Sequence, residues 1–529
     1  MPTHSSSPAT TSGRHRSTAA VSSAKITAAP PALGGPPSRQ AFLWVLGTLL
    51  ATLLLSITLG VSQRHPDTHP LVALSYLPNI CLAAYALARD VSHRPGSLHL
   101  MHLIFLFLFL GVAPLCQYLT ATFPWQSWAP EIRSTHVLEG NFAVFLWTLA
   151  YLTAYKLPAA RTPSAPLPSP LNRPVTHTGL ILATAISLLA LAYLASQGLA
   201  FKWTRAAAAE TVMPRQTTYD LLITYPLRCI PYTTLAALLL FCAHQPPQTK
   251  GPYALAIFLL AVGNLICNNP FAAARYWTAS IVLALLWIVI FRHRRSGLGL
   301  FFLALLGALV LLPVLEIGRT ETDPRVLLLS IKDLSSLVRL SVDQLFSAHM
   351  DAYANLLYAL RYIDESGITW GRQLLGVLLF FVPRALWSTK PVGTGFLVAE
   401  HYGSPFTNIS MPLIGEAALN FGWLGIPAFA ALFARLLRLL EAPLYTNTPT
   451  AHSSGQFVTL LTVIAPFWLG LAFFMSRGDL LSSFAYAIGL TFTALPLAVG
   501  PLPANNPVMR IALRRARSPR YRTNTKSHC

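Results

Sequence analysis

The sequence predicts an all-α polytopic membrane protein with about twelve transmembrane helices. Three observations predict it. Of its 529 residues, 54% are hydrophobic and only 11% are charged, whereas a soluble domain carries roughly a quarter charged residues. Apolar runs of about 20 residues recur from end to end, each long enough to span a bilayer core of about 30 Å. Lys and Arg also concentrate in alternate connecting segments, the pattern that orients membrane helices.

The first 39 residues are rich in Ser, Thr, Ala and Pro and carry Arg14, Arg16, Lys25 and Arg39 but no acid. That composition fits a disordered cytoplasmic tail, and an organelle transit peptide would look similar. The first apolar run lies too far in, and is too long, for a cleaved signal segment. Residues 40–500 read as one transmembrane domain, and 501–529 as a basic cytoplasmic tail. Spans are read at 41–61, 71–89, 99–119, 138–156, 178–196, 221–243, 252–268, 277–292, 298–316, 411–433, 457–475 and 480–499. The seventh and eighth are short, which suits spans that tilt little or are partly sheltered.

Charge sets the expected orientation. With the N-terminus inside, every acid except Asp90 and Glu441 falls outside, where acids and bases balance. The whole formal charge of +20 then lies on the inner side, with Arg292, Arg294, Arg295, Arg435, Arg438, Arg514, Arg515 and Arg517 in inner segments. Both termini are therefore expected in the cytoplasm. The basic tails suit anionic lipid as a partner rather than nucleic acid. Five cysteines (Cys81, Cys116, Cys229, Cys242, Cys267) sit in apolar runs and Cys529 ends the chain, without zinc-like spacing or a disulfide framework.

The loop at 317–410 is by far the longest outer segment, and long loops in compact proteins are usually functional. Within it, 325–362 mixes apolar clusters with Lys332, Asp333, Arg339, Asp343 and Asp351, the pattern of one or two amphipathic helices lying along the outer surface. Residues 373–382 are apolar but too short to span, so they read as a half-buried helix ended by Pro383.

This topology brings unusual residues to one face. Arg275 opens the eighth span, Arg319 follows the ninth, and Arg384 and Lys390 flank Trp387 between two prolines. Glu416 lies just inside the tenth span with Asn420 a turn deeper, and Arg477 joins the eleventh and twelfth. Each cation has a plain reading as an interfacial anchor. Together they form a cationic basin suited to a diphosphate, because a guanidinium grips phosphate oxygens with a planar fork and keeps its charge. A carboxylate inside a span is costly. Glu416 therefore reads either as the partner of one of these arginines or as a general base. The acidic pair Glu321 and Asp323 is the nearest thing to a metal site, and cations in its place are the simpler reading.

Four strings carry a family resemblance: N-P-x4-R-Y-W at 269–277, V-P-R-x2-W-x2-K-P at 382–391, G-E-x3-N-F-G-x2-G at 415–425 and S-R-G-D at 476–479. In this order they resemble the Wzy-type oligosaccharide repeat-unit polymerases of bacterial inner membranes, over roughly residues 210–500. The resemblance implies an architecture like the C-type glycosyltransferases. It also implies inverting, metal-independent transfer of a growing glycan from undecaprenyl diphosphate onto an incoming lipid-linked repeat unit at the periplasmic face. No cofactor is implied, and a flippase and a chain-length regulator of the same pathway are the implied partners. Carried over by motif, Arg275, Arg384 and Arg477 hold diphosphate or sugar, Lys390 assists, and Glu416 acts as base or orienter. Arg319 joins them by position alone. His349 and His401 in the long loop compete for the base role, against a plain solvated reading. Three alternatives stand beside this one: a ligase passing the glycan to a lipid acceptor, a transporter or flippase of lipid-linked glycans, and a structural scaffold. Charges gathered at one face and unmatched halves count against transport.

Overall fold

A computed structural model describes residues 38–93, 97–157, 170–204, 206–207, 220–243, 251–293, 297–311, 313–314, 323, 325, 334–446 and 458–501. Among these there is no β-strand, only an isolated bridge between Pro174 and Thr459. Ten helices are long and apolar enough to cross a membrane: α1 Arg39–Ser62, α2 Pro70–His93, α3 Leu98–Leu119, α4 Ser134–Lys156, α5 His177–Leu199, α6 Leu222–Ala243, α7 Gly251–Ala272, and three that follow the long loop. Two shorter apolar helices, α8 Arg275–Val289 and α9 Leu298–Leu311, occupy the positions of the eighth and ninth spans. The loop carries α10 Leu334–Phe346, α11 Ala352–Ser366, α12 Arg372–Leu378 and α13 Thr394–His401. After it come α14 Leu413–Thr446, α15 Leu460–Arg477 and α16 Leu480–Ala498.

Side-chain pattern decides where each helix sits. α1 buries one stripe, Ala41, Val45, Leu49, Leu53, Ser56 and Gly60. That spacing of three or four keeps one face on the bundle and leaves the rest for lipid. Gly60 is small because the Leu119 side chain fills the space its Cβ would take. α3 is apolar on every face and is buried along its length at the centre of the bundle. Its Leu108–Val112 segment widens into a π-turn ahead of Pro114, whose ring nitrogen has no hydrogen to donate to the preceding turn.

α14 forms the most extensive helix pair of the fold with α4. Its helical path breaks at Phe421 (φ −140°) and Gly422 (φ +62°, ψ −151°), and a residue without a Cβ takes up the positive φ.

Two expectations for the loop are corrected. α11 does not lie on the surface: Ala352 to Leu360 are all buried. Asp351, one of the charges behind that expectation, is itself buried, and the polar side chains of α11 are paired inside. Tyr353 Oη donates to the Val137 carbonyl at 2.9 Å, and Asn355 Nδ2 donates to Asp351 Oδ2 at 2.9 Å and to the Ser410 carbonyl at 2.6 Å. Only the end from Asp364 to Ser366 is exposed. The half-helix is shorter than expected, because α12 ends at Leu378 and a series of turns carries the chain on to Pro383. Proline therefore does not end it.

Candidate functional site

The elements that carry Arg275, Arg384, Lys390 and Glu416 pack around the turn between α15 and α16, Ser476 to Asp479, which itself carries Arg477. The loop from α12 to α13 packs on it from one side: the Phe380 ring lies 6.2 Å from that of Phe484. Gly393 leaves room for the Asp479 carboxyl, whose oxygens lie 2.8 and 2.9 Å from where a Cβ would be. α8 packs from the other side, with Tyr276 stacked on Phe474 at 3.6 Å. That places Arg275, at the head of α8 and half-buried, beside the end of α15. α6 closes the ring, with Tyr225 4.3 Å from Tyr486.

Glu416 is 1% exposed. Its Oε2 accepts from Thr394 Oγ1 at 2.5 Å and its Oε1 from the Leu480 backbone N–H at 3.1 Å. Among the described residues it makes no ion pair with an arginine, and its buried oxygens are engaged by Thr394 and Leu480 rather than open to a substrate. Its charged neighbour is instead a second acid, Asp479, with which it interacts directly. Asp479 Oδ2 accepts from Ser482 Oγ at 3.2 Å, while Oδ1 is buried without a hydrogen-bond partner among the described residues. Burial, the largest cause, raises the Asp479 carboxyl above the usual carboxylate range.

The cations are held in different ways. Arg384 is exposed, donates to the Lys390 carbonyl at 2.9 Å and meets no carboxylate among the described residues. Lys390 Nζ donates to the carbonyls of Phe380 and Val382 at 2.6 and 2.8 Å, which closes the turns after α12. Burial first, and the Arg384 charge second, lower its pKa. Arg477 is already engaged: it donates to the His349 carbonyl through Nε and Nη2, at 3.2 and 2.9 Å, and Nη2 pairs with Asp351 Oδ1 at 3.0 Å. Asn420 is buried and serves the fold, donating to the Glu416 carbonyl at 2.9 Å and accepting the Leu374 N–H at 3.1 Å. It ties α12 to the kink of α14.

Of the two histidines, His349 contributes its backbone carbonyl to Arg477. His401 Nε2 lies 3.0 Å from Glu365 Oε2, and Glu365 also pairs with Arg361 at 2.9 Å, away from the Ser476–Asp479 turn. Arg319 lies outside the described residues. No group of three His, Cys, Asp or Glu side chains able to hold a metal ion occurs among the described residues.

Two residues escaped sequence reading. Asp479 stands inside the S-R-G-D string but has no role assigned from sequence, because Glu416, which meets it, is far away in the chain. Arg228 lies inside α6 with its Nε buried and without a partner among the described residues, and its backbone carbonyl accepts from Asn268 Nδ2 at 2.9 Å. A cation inside an apolar run is by itself a functional signal, and that signal was available at Arg228. No protein-family model, curated protein or solved structure matches the chain.

Proposed function

We propose that the protein is a membrane glycosyltransferase that polymerises lipid-diphosphate-linked oligosaccharides, with the Ser476–Asp479 turn at the centre of its site. One observation carries the reading: Glu416 and Asp479 pair with each other, while Arg384, Lys390 and Arg228 are left without a carboxylate among the described residues. Cations spared from nearby acids are available to an anion from outside. A diphosphate on a lipid carrier reaches such a rim at the bilayer boundary.

In this reading Arg228, Arg275 and Arg384 hold the diphosphate of the donor. Lys390 shapes the loop that carries Arg384, and Arg477 positions the turn through Asp351 and assists once substrate arrives. The acceptor sugar hydroxyl attacks the anomeric carbon and forms the new glycosidic bond. The carbon–oxygen bond to the diphosphate breaks, and its electron pair leaves with the phosphate oxygen, where the cations stabilise it. The hydroxyl proton passes to the Asp479 and Glu416 pair in its singly ionised form, once substrate displaces the side chains that bury Asp479 Oδ1, with Glu416 as the orienter of Asp479. Attack opposite the leaving group inverts the anomeric centre.

The finer topology belongs to the same proposal. α8 and α9 count as the eighth and ninth of twelve spans, both termini face the cytoplasm, and the site faces the periplasm of a bacterial inner membrane. A flippase and a chain-length regulator of the pathway are the proposed partners.

The test is glycan length in cells. Arg384→Ala leaves an exposed position and preserves the fold, so the protein should reach the membrane while long chains give way to single repeat units. Arg384→Lys should lose most polymer as well, because a point charge does not replace a bidentate grip. Wild-type chain lengths in Arg384→Ala would remove the reading.

A further inference from the structure

On the far side of α14 from Glu416 lies a cavity of about 130 Å³, between the second turn of α4, the end of α11 and the kink of α14. Ala418, before the kink, lies about half a turn round the helix from Glu416 and Asn420, and the break at Phe421 and Gly422 brings Trp423 and Ile426 to the same cavity. We propose that this cavity is a saccharide-binding site.

Three features of its lining support that ligand. Glu139 and Asp364 reach it from different helices, and both are exposed. Neither has a hydrogen-bond or ion-pair partner among the described residues. The nearby cation is committed elsewhere, since Arg361 bonds Glu365 and, at 3.1 Å, the Glu131 carbonyl. Two free acceptors on separate helices suit a ligand that presents several hydroxyl donors.

Trp423 supplies the second feature. It is 45% exposed, follows the Gly422 kink where the backbone leaves its helical path, and has the Phe142 ring tilted against it at 5.7 Å, which fixes the indole and leaves part of its surface to the cavity. An indole face at a cavity mouth is a flat apolar plate with a polar edge, against which the CH face of a pyranose packs. The third feature is the floor of Leu360, Ile363 and Ile426. An ammonium ion would satisfy the carboxylates and the indole, but it would leave that floor uncovered. A sugar ring meets all three.

The choice of sugar over other polyhydroxy ligands rests on the glycan reading above. The cavity and the carboxyl pair stand on opposite faces of one helix, about 10–12 Å across with its side chains. A glycan of a few units spans that thickness, so the cavity would hold the chain while its end reacts.

The test uses the purified full chain in detergent with chitotriose, maltotriose and a mannotriose as probes. Saturation-transfer NMR and tryptophan fluorescence read binding. At least one trisaccharide should bind, and Trp423→Ala, Glu139→Gln and Asp364→Asn should each weaken it tenfold or more. Trp423→Phe should restore part of the affinity, which separates a stacking role from misfolding. Arg384→Ala should leave this binding unchanged, so loss of polymer in that variant and loss of binding at the cavity are independent results. The proposal is overturned if none of the three sugars binds, if Trp423→Ala binds as wild type does, or if ethanolamine occupies the cavity while sugars do not displace it.

Discussion

Glu416 Oε1 accepts the Leu480 backbone N–H at 3.1 Å, so a carboxyl on α14 caps the N-terminus of α16. The first N–H groups of a helix have no partner within it, and here one is met from another membrane helix. Glu416→Ala should therefore cost about 2–4 kcal/mol, because it strands the Leu480 N–H and the Thr394 hydroxyl in a buried place. Glu416→Gln keeps an acceptor and should cost about 1 kcal/mol. Thermal unfolding followed by size-exclusion chromatography in detergent would read both. Equal melting midpoints for Ala and wild type would show that the cap contributes nothing.

Asp479 gives a pH dependence. Burial raises its carboxyl above the usual range, so the folded chain favours the protonated form. That contribution is complete below the unfolded carboxylate value of about 4 and is lost as pH rises through the raised folded value. Asp479→Asn removes the ionisation. The variant should gain on wild type steadily as pH climbs from the acid range, by about 2 °C in melting midpoint. A gap that stays constant with pH would mean that the folded site holds Asp479 ionised.

The Arg477 and Asp351 pair should behave as a buried ion pair on its acidic side. The Asp351 side chain is 3% exposed and that of Arg477 28%. Asp351→Ala should destabilise by about 3–5 kcal/mol, since it also frees Ser410 and Asn355. Asp351→Asn with Arg477→Gln should cost clearly less than the sum of the single changes, because each single change strands a partner. Strict additivity in the double-mutant cycle would dismiss the pair as a coupling.

Gly422 holds a positive φ of +62° at the kink. Gly422→Ala should cost about 1–2 kcal/mol, because an L side chain is strained there. The same substitution should disturb the clamp between Asn420 and α12. Protease protection of the α12–α13 loop would report that change, and unchanged protection with an unchanged melting point would place no strain at the kink.

Ten of the expected spans fall on helices long and apolar enough to cross a membrane, and the eighth and ninth on shorter apolar helices, because apolar runs of that length form helices that satisfy their own backbone. Spacing also set the buried stripe of α1 and the all-round burial of α3. The loop that carries the V-P-R string packs on α16 and on Asp479 of the S-R-G-D string, through Phe380 against Phe484 and Gly393 against Asp479. The role of Asn420 was not legible, because its partner, the Leu374 N–H, is set by how a loop folds back on a helix. The engagement of Arg477 was hidden for the same reason, since Asp351 belongs to a segment that read as surface. At the other end of α14, Glu441 accepts from Ser97 Oγ at 3.1 Å and from Tyr155 Oη. Sequence gave its side of the membrane as an expectation but not its partners.

By itself the sequence determined that the chain is a bundle of apolar helices, with its unusual polar residues near helix ends. Length and hydropathy are local properties, and a bilayer-spanning helix satisfies its own backbone. Only the tertiary structure decided which acid faces which cation. It set Glu416 against Asp479, tied Arg477 to Asp351, and left Arg384 open. Those pairings depend on the docking of helices distant in the chain, and inside a low-dielectric bundle a shift of a few ångströms decides whether a charge is paired or stranded.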